Sequence, residues 1–497
     1  MTSGSDAPLP QATVAPPALE PESFAPVATD PPPPPIGSKR TFDRSLVEGP
    51  LMPAVWRIAW PTMLHNVIGG LQGVVDHAMV GHYIGYEGNA AIGVSWQIFL
   101  VVVVFVSSLF TGMAVLVSRH VGAGDYDRVN HTVYQAFLTA LFLSLGVLAP
   151  IGYFASPYLL SMVNATPEVQ ALALPYLRIM FVFSWGMLLY FMLGGALRSA
   201  GDAATPMKLG VVVTLLNLVL NAILIPGLGP IPRLGTAGSA LGTVIATCGA
   251  GIYAVIALRR NVWVVGFPQG GSLKPDLKVV RALFRFGLPA GLQGIAMNVG
   301  GVLLLAFVGS LALSAQAQAA YTVGYTQIFS LITWTTIGLM SAAATIAGQS
   351  VGAGKPDRAE AAVHAAARIA VGTALFVGAL FLIAPRALLS VFGMEDPVTI
   401  GLAVELLRFL SVSGIFIALA LTYTGGLQGT GDTKSPLYIS IISQVALPLG
   451  ICFAIQQTGT LEPQHIWIAI LTGHVTRCLL SVAMFRRGGW RDIRVEA

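Results

Sequence analysis

Residues 97–124 read QIFLVVVVFVSSLFTGMAVLVSRHVGAG, and residues 327–354 read QIFSLITWTTIGLMSAAATIAGQSVGAG. Both open on Gln-Ile-Phe and close on Val-Gly-Ala-Gly, at an offset of 230 positions. Each is longer than the roughly 20 largely apolar residues that carry a helix across a bilayer. The same offset pairs Asp127-Arg128 with Asp357-Arg358, Pro167 with Pro397, Leu177-Arg178 with Leu407-Arg408, Gly201-Asp202 with Gly431-Asp432, and Pro206 with Pro436. In the first helix of each half the offset is 228, so that RIAWP ending at Pro61 matches RFGLP ending at Pro289. The chain is a duplication of a membrane-spanning unit.

Composition agrees. Of the 497 residues, 55% are hydrophobic and only 10% charged, against roughly 25% charged in a soluble protein. The net charge of +5 lies in short loops, which makes it a mark of membrane orientation rather than a nucleic-acid surface. Cys248, Cys452 and Cys478 fall in apolar segments with no ligand spacing and read as packing residues.

Twelve helices are expected near 57–82, 90–118, 128–155, 169–199, 205–228, 234–260, 280–312, 318–349, 358–385, 398–429, 435–457 and 463–486. The predicted fold class is an all-α integral membrane protein: two pseudo-symmetric six-helix bundles, parallel repeats, around a central cavity. Its expected divisions are a disordered Pro-rich tail over 1–50, a first lobe over 51–260, a polar inter-lobe loop over 261–285, a second lobe over 286–487 and a short tail over 488–497. The tail contains no apolar run before a cleavage site, so it is not a secretory signal. Lys39, Arg40, Arg44, Arg57, Arg119, Arg128, Arg198, Lys208, the run from Arg259 to Arg285, and Arg486 to Arg494 all fall on one side if both termini are cytoplasmic. The opposite loops offer little beyond Arg233 and Arg386. This bias predicts a multi-pass inner-membrane protein with both termini inside.

In a bilayer the informative residues are polar ones at depth, since an ionised side chain at the centre costs at least about 2.5–3.5 kcal/mol. Asp76, in GVVDHAMVG of the first helix, is the clear acidic case and could load and unload a proton. Gln72 lies one turn earlier on the same face, and Asn217 and Asn221 in LLNLVLNAILIP form a second pair at that spacing. Together they make a candidate ion-coupling site, with Na⁺ at Asp76, Asn217 and Asn221 as the one metal it could hold; the asparagines alone read equally well as glue between helices. Pro61 removes a backbone hydrogen bond and permits the first helix to bend. Trp96, Gln97, Trp185, Tyr190, Asn298 and Gln327 are candidate cavity residues, although most such residues simply pack helices. Trp56, Trp60, Trp467 and Trp490, at segment ends, read as interface anchors. The helices are expected to be almost free of Arg and Lys, with Arg178 and Arg408 structural. No HExxH or other catalytic cluster is present, which argues against an enzyme.

The motifs GVVDHAMVG, VSRHVGAGD, GGALRSAGDAATP and NLVLN, in this order and duplicated, resemble the multidrug and toxic compound extrusion (MATE) family from about Leu51 to Arg487. The resemblance implies a twelve-helix antiporter, without cofactor, that expels organic cations and drugs in exchange for H⁺ or Na⁺. It makes Asp76 the first-helix carboxylate, Pro61 the proline of the bending helix, and Asn217 with Asn221 the polar pair of the fifth helix. Where the family usually has a small hydroxyl after that Asp, this chain has His77. Leu304 stands where the second half would repeat Asp76, which points to coupling through the first lobe and looks more like the DinF-type branch than one with a second-lobe cation site, so that the chain resembles a DinF-like or NorM-like member. The expected partners are lipophilic cations or drugs and membrane lipid, not nucleic acid, and the expected state is a monomer. The alternative reading is a flippase for lipids or lipid-linked sugars.

Overall fold

The structure, a computed structural model, describes residues 44–163, 166–268 and 274–495. Its long helices are α1 (Leu51–Ile84), α2 (Tyr86–Ala123), α3 (Tyr126–Met162), α4 (Pro167–Val182 bent into Ser184–Ser199), α5 (Ala204–Leu224), α6 (Gly235–Arg259), α7 (Leu277–Gly309), α8 (Ser314–Gly352), α9 (Pro356–Ile383), α10 (Pro397–Gly429), α11 (Lys434–Thr458) and α12 (Pro463–Arg486). Ten of these are long and apolar enough to cross a membrane, and the two arms of α4, meeting at 53°, add an eleventh. The twelfth is α1, whose 34 residues span about 51 Å. Arg57, Asn66, Gln72, Asp76 and three histidines keep its mean hydropathy low.

The helices follow from the solvent, because only a closed backbone ladder survives in hydrocarbon. Where the ladder is imperfect the sequence mostly supplies the cause. The π-helical turns Phe142–Leu148 in α3 and Ile441–Ala446 in α11 run into Pro150 and Pro448, whose missing N–H groups leave earlier carbonyls without their usual donors. A third π-helical stretch, Thr322–Ile328 in α8, contains no proline.

The two lobes meet along α1, α2, α7 and α8, and α2 and α8 cross at repeat-equivalent residues. A Cβ on Gly122 would lie 2.0 Å from the Gln349 carbonyl oxygen, and one on Gly352 would lie 2.2 Å from that of Arg119. The side chains of these two neighbours reach across as well. Gln349 Nε2 donates to the Ser199 carbonyl at 2.8 Å, and Arg119 Nη2 to the Thr430 carbonyl at 2.7 Å. Inter-lobe contact continues as far as Gly70 against Trp334 and Val104 against Gly294. Farther along, Leu71 and Val74 of α1, Val101 of α2 and Val302 of α7 are exposed. The bundle is therefore sealed at the end rich in Arg and Lys, and the lobes part toward the other end.

Both chain ends add to the seal. The short helix Ser45–Glu48 buries Leu46 and Val47, and Arg358 Nη2 donates to the carbonyls of Leu46 at 3.0 Å and Gly49 at 2.6 Å. The Ile493 carbonyl accepts from Arg119 Nη2 at 3.2 Å, and Arg491 pairs with Asp357 at 3.1 Å and Glu360 at 2.6 Å.

Several expectations change here. The Pro-rich tail lies outside the described residues up to residue 43, but residues 44–50, expected to be part of it, are folded onto the second lobe. The inter-lobe loop is shorter than expected because α7 starts at Leu277. Trp56 and Trp60 are exposed, as interface anchors would be, whereas Trp467 and Trp490 are buried. Trp467 packs inside the second lobe, and Trp490 stacks on Phe485 and donates to its carbonyl at 2.8 Å.

A Gly122→Val substitution forces side-chain atoms into the Gln349 backbone, so it is expected to shift molecules away from this sealed form. Spin labels at Asp127→Cys and Lys355→Cys on a cysteine-free background report the change: the inter-label distance distribution lengthens with Val at position 122, and an unchanged distribution counts against the crossing as the seal.

Candidate functional site

In the first lobe the polar residues of α1, α5 and α6 meet. On α5 the positions are Thr214, Asn217 and Asn221, spaced three and four apart and so on one face; on α1 they are Gln72 and Asp76. Asn221 Nδ2 donates to Asp76 Oδ1 at 2.8 Å, and one turn along Thr214 Oγ1 donates to Gln72 Oε1 at 2.8 Å. These two rungs tie α1 to α5. Asn217 and Asn221 are fully buried, while Asp76 is partly exposed. Asn217 bonds to Thr243 Oγ1 of α6 at 3.1 Å. With its amide turned over, Asn217 donates Nδ2 to Asp76 Oδ1 at 3.1 Å and still meets Thr243, now as acceptor.

The sequence reading brought Gln72, Asp76, Asn217 and Asn221 together, and they are together. It missed Thr214, which extends the α5 stripe, and Thr243 on α6, hydroxyls in otherwise apolar helices. It also missed Gly242, where a Cβ would lie 2.0 Å from Asn221 Oδ1. Only Gly lets α6 approach so closely, and this fixes Asn221 with its Nδ2 toward Asp76. Among the described residues no three His, Cys, Asp or Glu side chains converge on one point.

The candidate cavity residues scatter. Trp96 sits against Phe99 in the first-lobe core, and Trp185 packs on Gly251. Tyr190 faces His65 at 6.1 Å between ring centroids and lines, with Arg198, a small space of about 20 Å³. Gln97 and Gln327, equivalent in the repeat, are both exposed, as is Asn298, whose Nδ2 is turned back to the Gly294 carbonyl at 2.9 Å. Pro61 is buried within an unbroken α1. The second lobe holds a deep basic residue that the sequence reading did not single out, Arg477 of α12, which is 2% exposed.

A lipid-embedded, duplicated twelve-helix bundle with one carboxylate held by amides in its first lobe defines the class of two-lobed secondary transporters. A model of the MatE family matches residues 61–223 and 289–454, one match in each half, and the chain belongs to that family. It is 26% identical to a probable multidrug resistance protein NorM of Thermotoga maritima over 435 residues, covering 87% of this chain and 92% of that protein. It is 27% identical to the multidrug resistance protein MdtK of Pectobacterium atrosepticum, covering 86% and 94%. Names of the NorM kind among these relatives agree with the NorM-like of the two branches the sequence suggested. Among solved structures, an outward-facing multidrug resistance MATE transporter of the MOP superfamily superposes with a TM-score of 0.83 at 23% identity, covering 90% of this chain and 98% of that one. A Pyrococcus furiosus MOP transporter, whose description speaks of a reversed polarity of the binding pocket, gives the same score, identity and coverage.

Gly242→Ala is expected to collide with Asn221 and cost about 1–3 kcal/mol by overpacking. Thermal unfolding in detergent reads the loss, and Gly249→Ala, where a Cβ meets nothing within 4 Å, should leave the unfolding temperature in place.

Proposed function

We propose that this chain is an ion-driven antiporter that exports lipophilic organic compounds, with Asp76 as the coupling carboxylate. The observation that carries the reading is the 2.8 Å bond from Asn221 to Asp76. It places the one deep carboxylate of the first lobe on the joint between α1 and α5. An ionised Asp76 accepts strongly from that amide; once protonated it accepts more weakly, which frees α1 to change its course at Pro61. The names of the relatives support drugs as the exported class.

H⁺ fits the site better than Na⁺. Asn221 presents a donor to Asp76, and the oxygen of Gln72 is occupied by Thr214, whereas Na⁺ would require amide oxygens turned inward. Driving force is ample: one charge moving through 100 mV supplies about 2.3 kcal/mol, enough for a gradient of roughly fiftyfold. The chain works as a monomer in the inner membrane, since one copy holds both lobes, and its basic, sealed end faces the cytoplasm. Alternating access is then the unsealing of the α2–α8 crossing as the opposite end closes.

Asp76→Asn is expected to abolish gradient-driven efflux in proteoliposomes while leaving the thermal unfolding profile close to that of the native chain. An imposed proton gradient drives export by the native chain and a sodium gradient at fixed pH does not; undiminished transport by the variant would sink the assignment.

A further inference from the structure

We infer that the second lobe carries a binding site for an anionic group of the exported compound, a carboxylate, sulfonate or phosphate, with Arg477 as its cationic ligand. The inference rests on the export reading above and adds to it the charge of the substrate. Arg477 comes fourteen positions after Pro463 and nine before Arg486, which puts it roughly 21 Å and 14 Å along α12 from its two ends, near mid-depth. It is 2% exposed, its Nε is buried without a hydrogen-bond partner, and it forms no ion pair among the described residues.

No acid is at hand to neutralise it. Helices α7, α8, α11 and α12 contain no Asp or Glu at all, and α10 contains only Glu405, which forms no ion pair with Arg477. Asp357 and Glu360 of α9 are engaged with Arg491 at the sealed end. The titratable groups that interact with Arg477 are Tyr325 and His474, and neither supplies a negative charge at neutral pH. A guanidinium does not shed its proton. A buried charge left without a counter-charge is heavily penalised, and an anionic ligand would supply the counter-charge.

The surroundings suit one. Along the same face of α12, Trp467 Nε1, His474 Nδ1 and Ser481 Oγ are also buried without partners. Indole and guanidinium are donors only, and the hydroxyl and the imidazole can both donate. His474 and Ser481, about one turn to either side of Arg477, are the donors near enough to share an anion with it, while Trp467 lies ten positions, roughly 15 Å, along the helix. Facing this stripe, Tyr321, Tyr325 and Phe329 of α8 stack on one another at 5.1 and 5.5 Å between ring centroids, and His474 lies nearly parallel to Tyr325 and Phe329. The rings line up because α8 takes wide π-helical turns over Thr322–Ile328, keeping every fourth side chain nearer to one line. Among the described residues that is the one π-helical stretch with no proline to cause it, and such turns are frequent at functional sites. Asp76 in the first lobe and Arg477 in the second thus give the two lobes opposite signs, fitted to a compound with both charges.

The test uses one dye in two forms: rhodamine B, which has a cationic ring system and a free carboxylate, and its ethyl ester, which has the same ring system and no carboxylate. Binding to the purified full chain is followed by fluorescence anisotropy, and efflux of the ester from proteoliposomes is measured separately. The native chain is expected to bind the acid at least tenfold more tightly than the ester. Arg477→Gln erases the preference and leaves the ester's affinity unchanged. Arg477→Lys keeps the charge without the two-pronged donor and lowers the preference at least threefold; it decides the matter if the Gln variant does not fold. Equal binding of acid and ester by the native chain, or a preference that survives at full size in either variant, overturns the anion site. Failure of the native chain to export the ester counts against the export reading instead, whatever the anisotropy gives.

Discussion

Everything in this molecule hangs on two helices being able to touch backbone to backbone. Lipid tails are as apolar as leucine side chains, so no hydrophobic force presses one lobe against the other. What remains is close packing and hydrogen bonding, and both need the main chains of α2 and α8 to come nearer than a Cβ allows. Gly122 and Gly352 provide that approach, each lying on the carbonyl of the residue three before its partner glycine. Arg119 and Gln349, one on each helix, then reach carbonyls of the opposite lobe. The N-terminal segment seats on the second lobe and the C-terminal segment binds Arg119 of the first. The seal is therefore polar and reversible. Its directional bonds sit beside apolar packing of the first turns of α1 into the second-lobe core and of Leu283 and Phe286 of α7 into the first-lobe core.

The same economy governs the first-lobe site. Asp76 lies on a helix exposed to open space along much of its length, and its geometry comes from elsewhere, through amides buried in α5 that are braced by Thr243 of α6. Gly242 completes the brace by letting α6 approach. The bond from Asn221 ties Asp76 to α5, and α1, which carries Asp76, packs its first turns into the second-lobe core.

Much of this was legible in the chain. The duplication, the spans and the grouping of Gln72, Asp76, Asn217 and Asn221 follow from spacing alone, because 3.6-residue periodicity places such residues on shared faces. The resemblance added the family and did not change the residues. Three things were hidden for physical reasons. The partners Thr214 and Thr243 were invisible because isolated hydroxyls in apolar helices usually bond their own backbone. Trp467 and Trp490 misled because position near a segment end resembles an interface anchor until packing is known. Arg477 was passed over because a basic residue nine positions from a helix end can snorkel to water, and only the fold shows its head enclosed by its own lobe.

The reciprocal contact of Gly122 and Gly352 has an evolutionary side. Two surfaces that present the same residue to each other across an axis form the geometry of an isologous dimer interface. In a dimer of identical halves, every deep residue would appear twice: an acid in one subunit would be an acid in the other. Joining the halves into one chain kept the shared axis and lifted that rule. Position 76 could keep its aspartate while its counterpart became Leu304, and α12 could take an arginine that its counterpart α6 lacks between Gly235 and Ile256. Fusion, on this view, is what allowed a symmetric frame to hold two unlike charges.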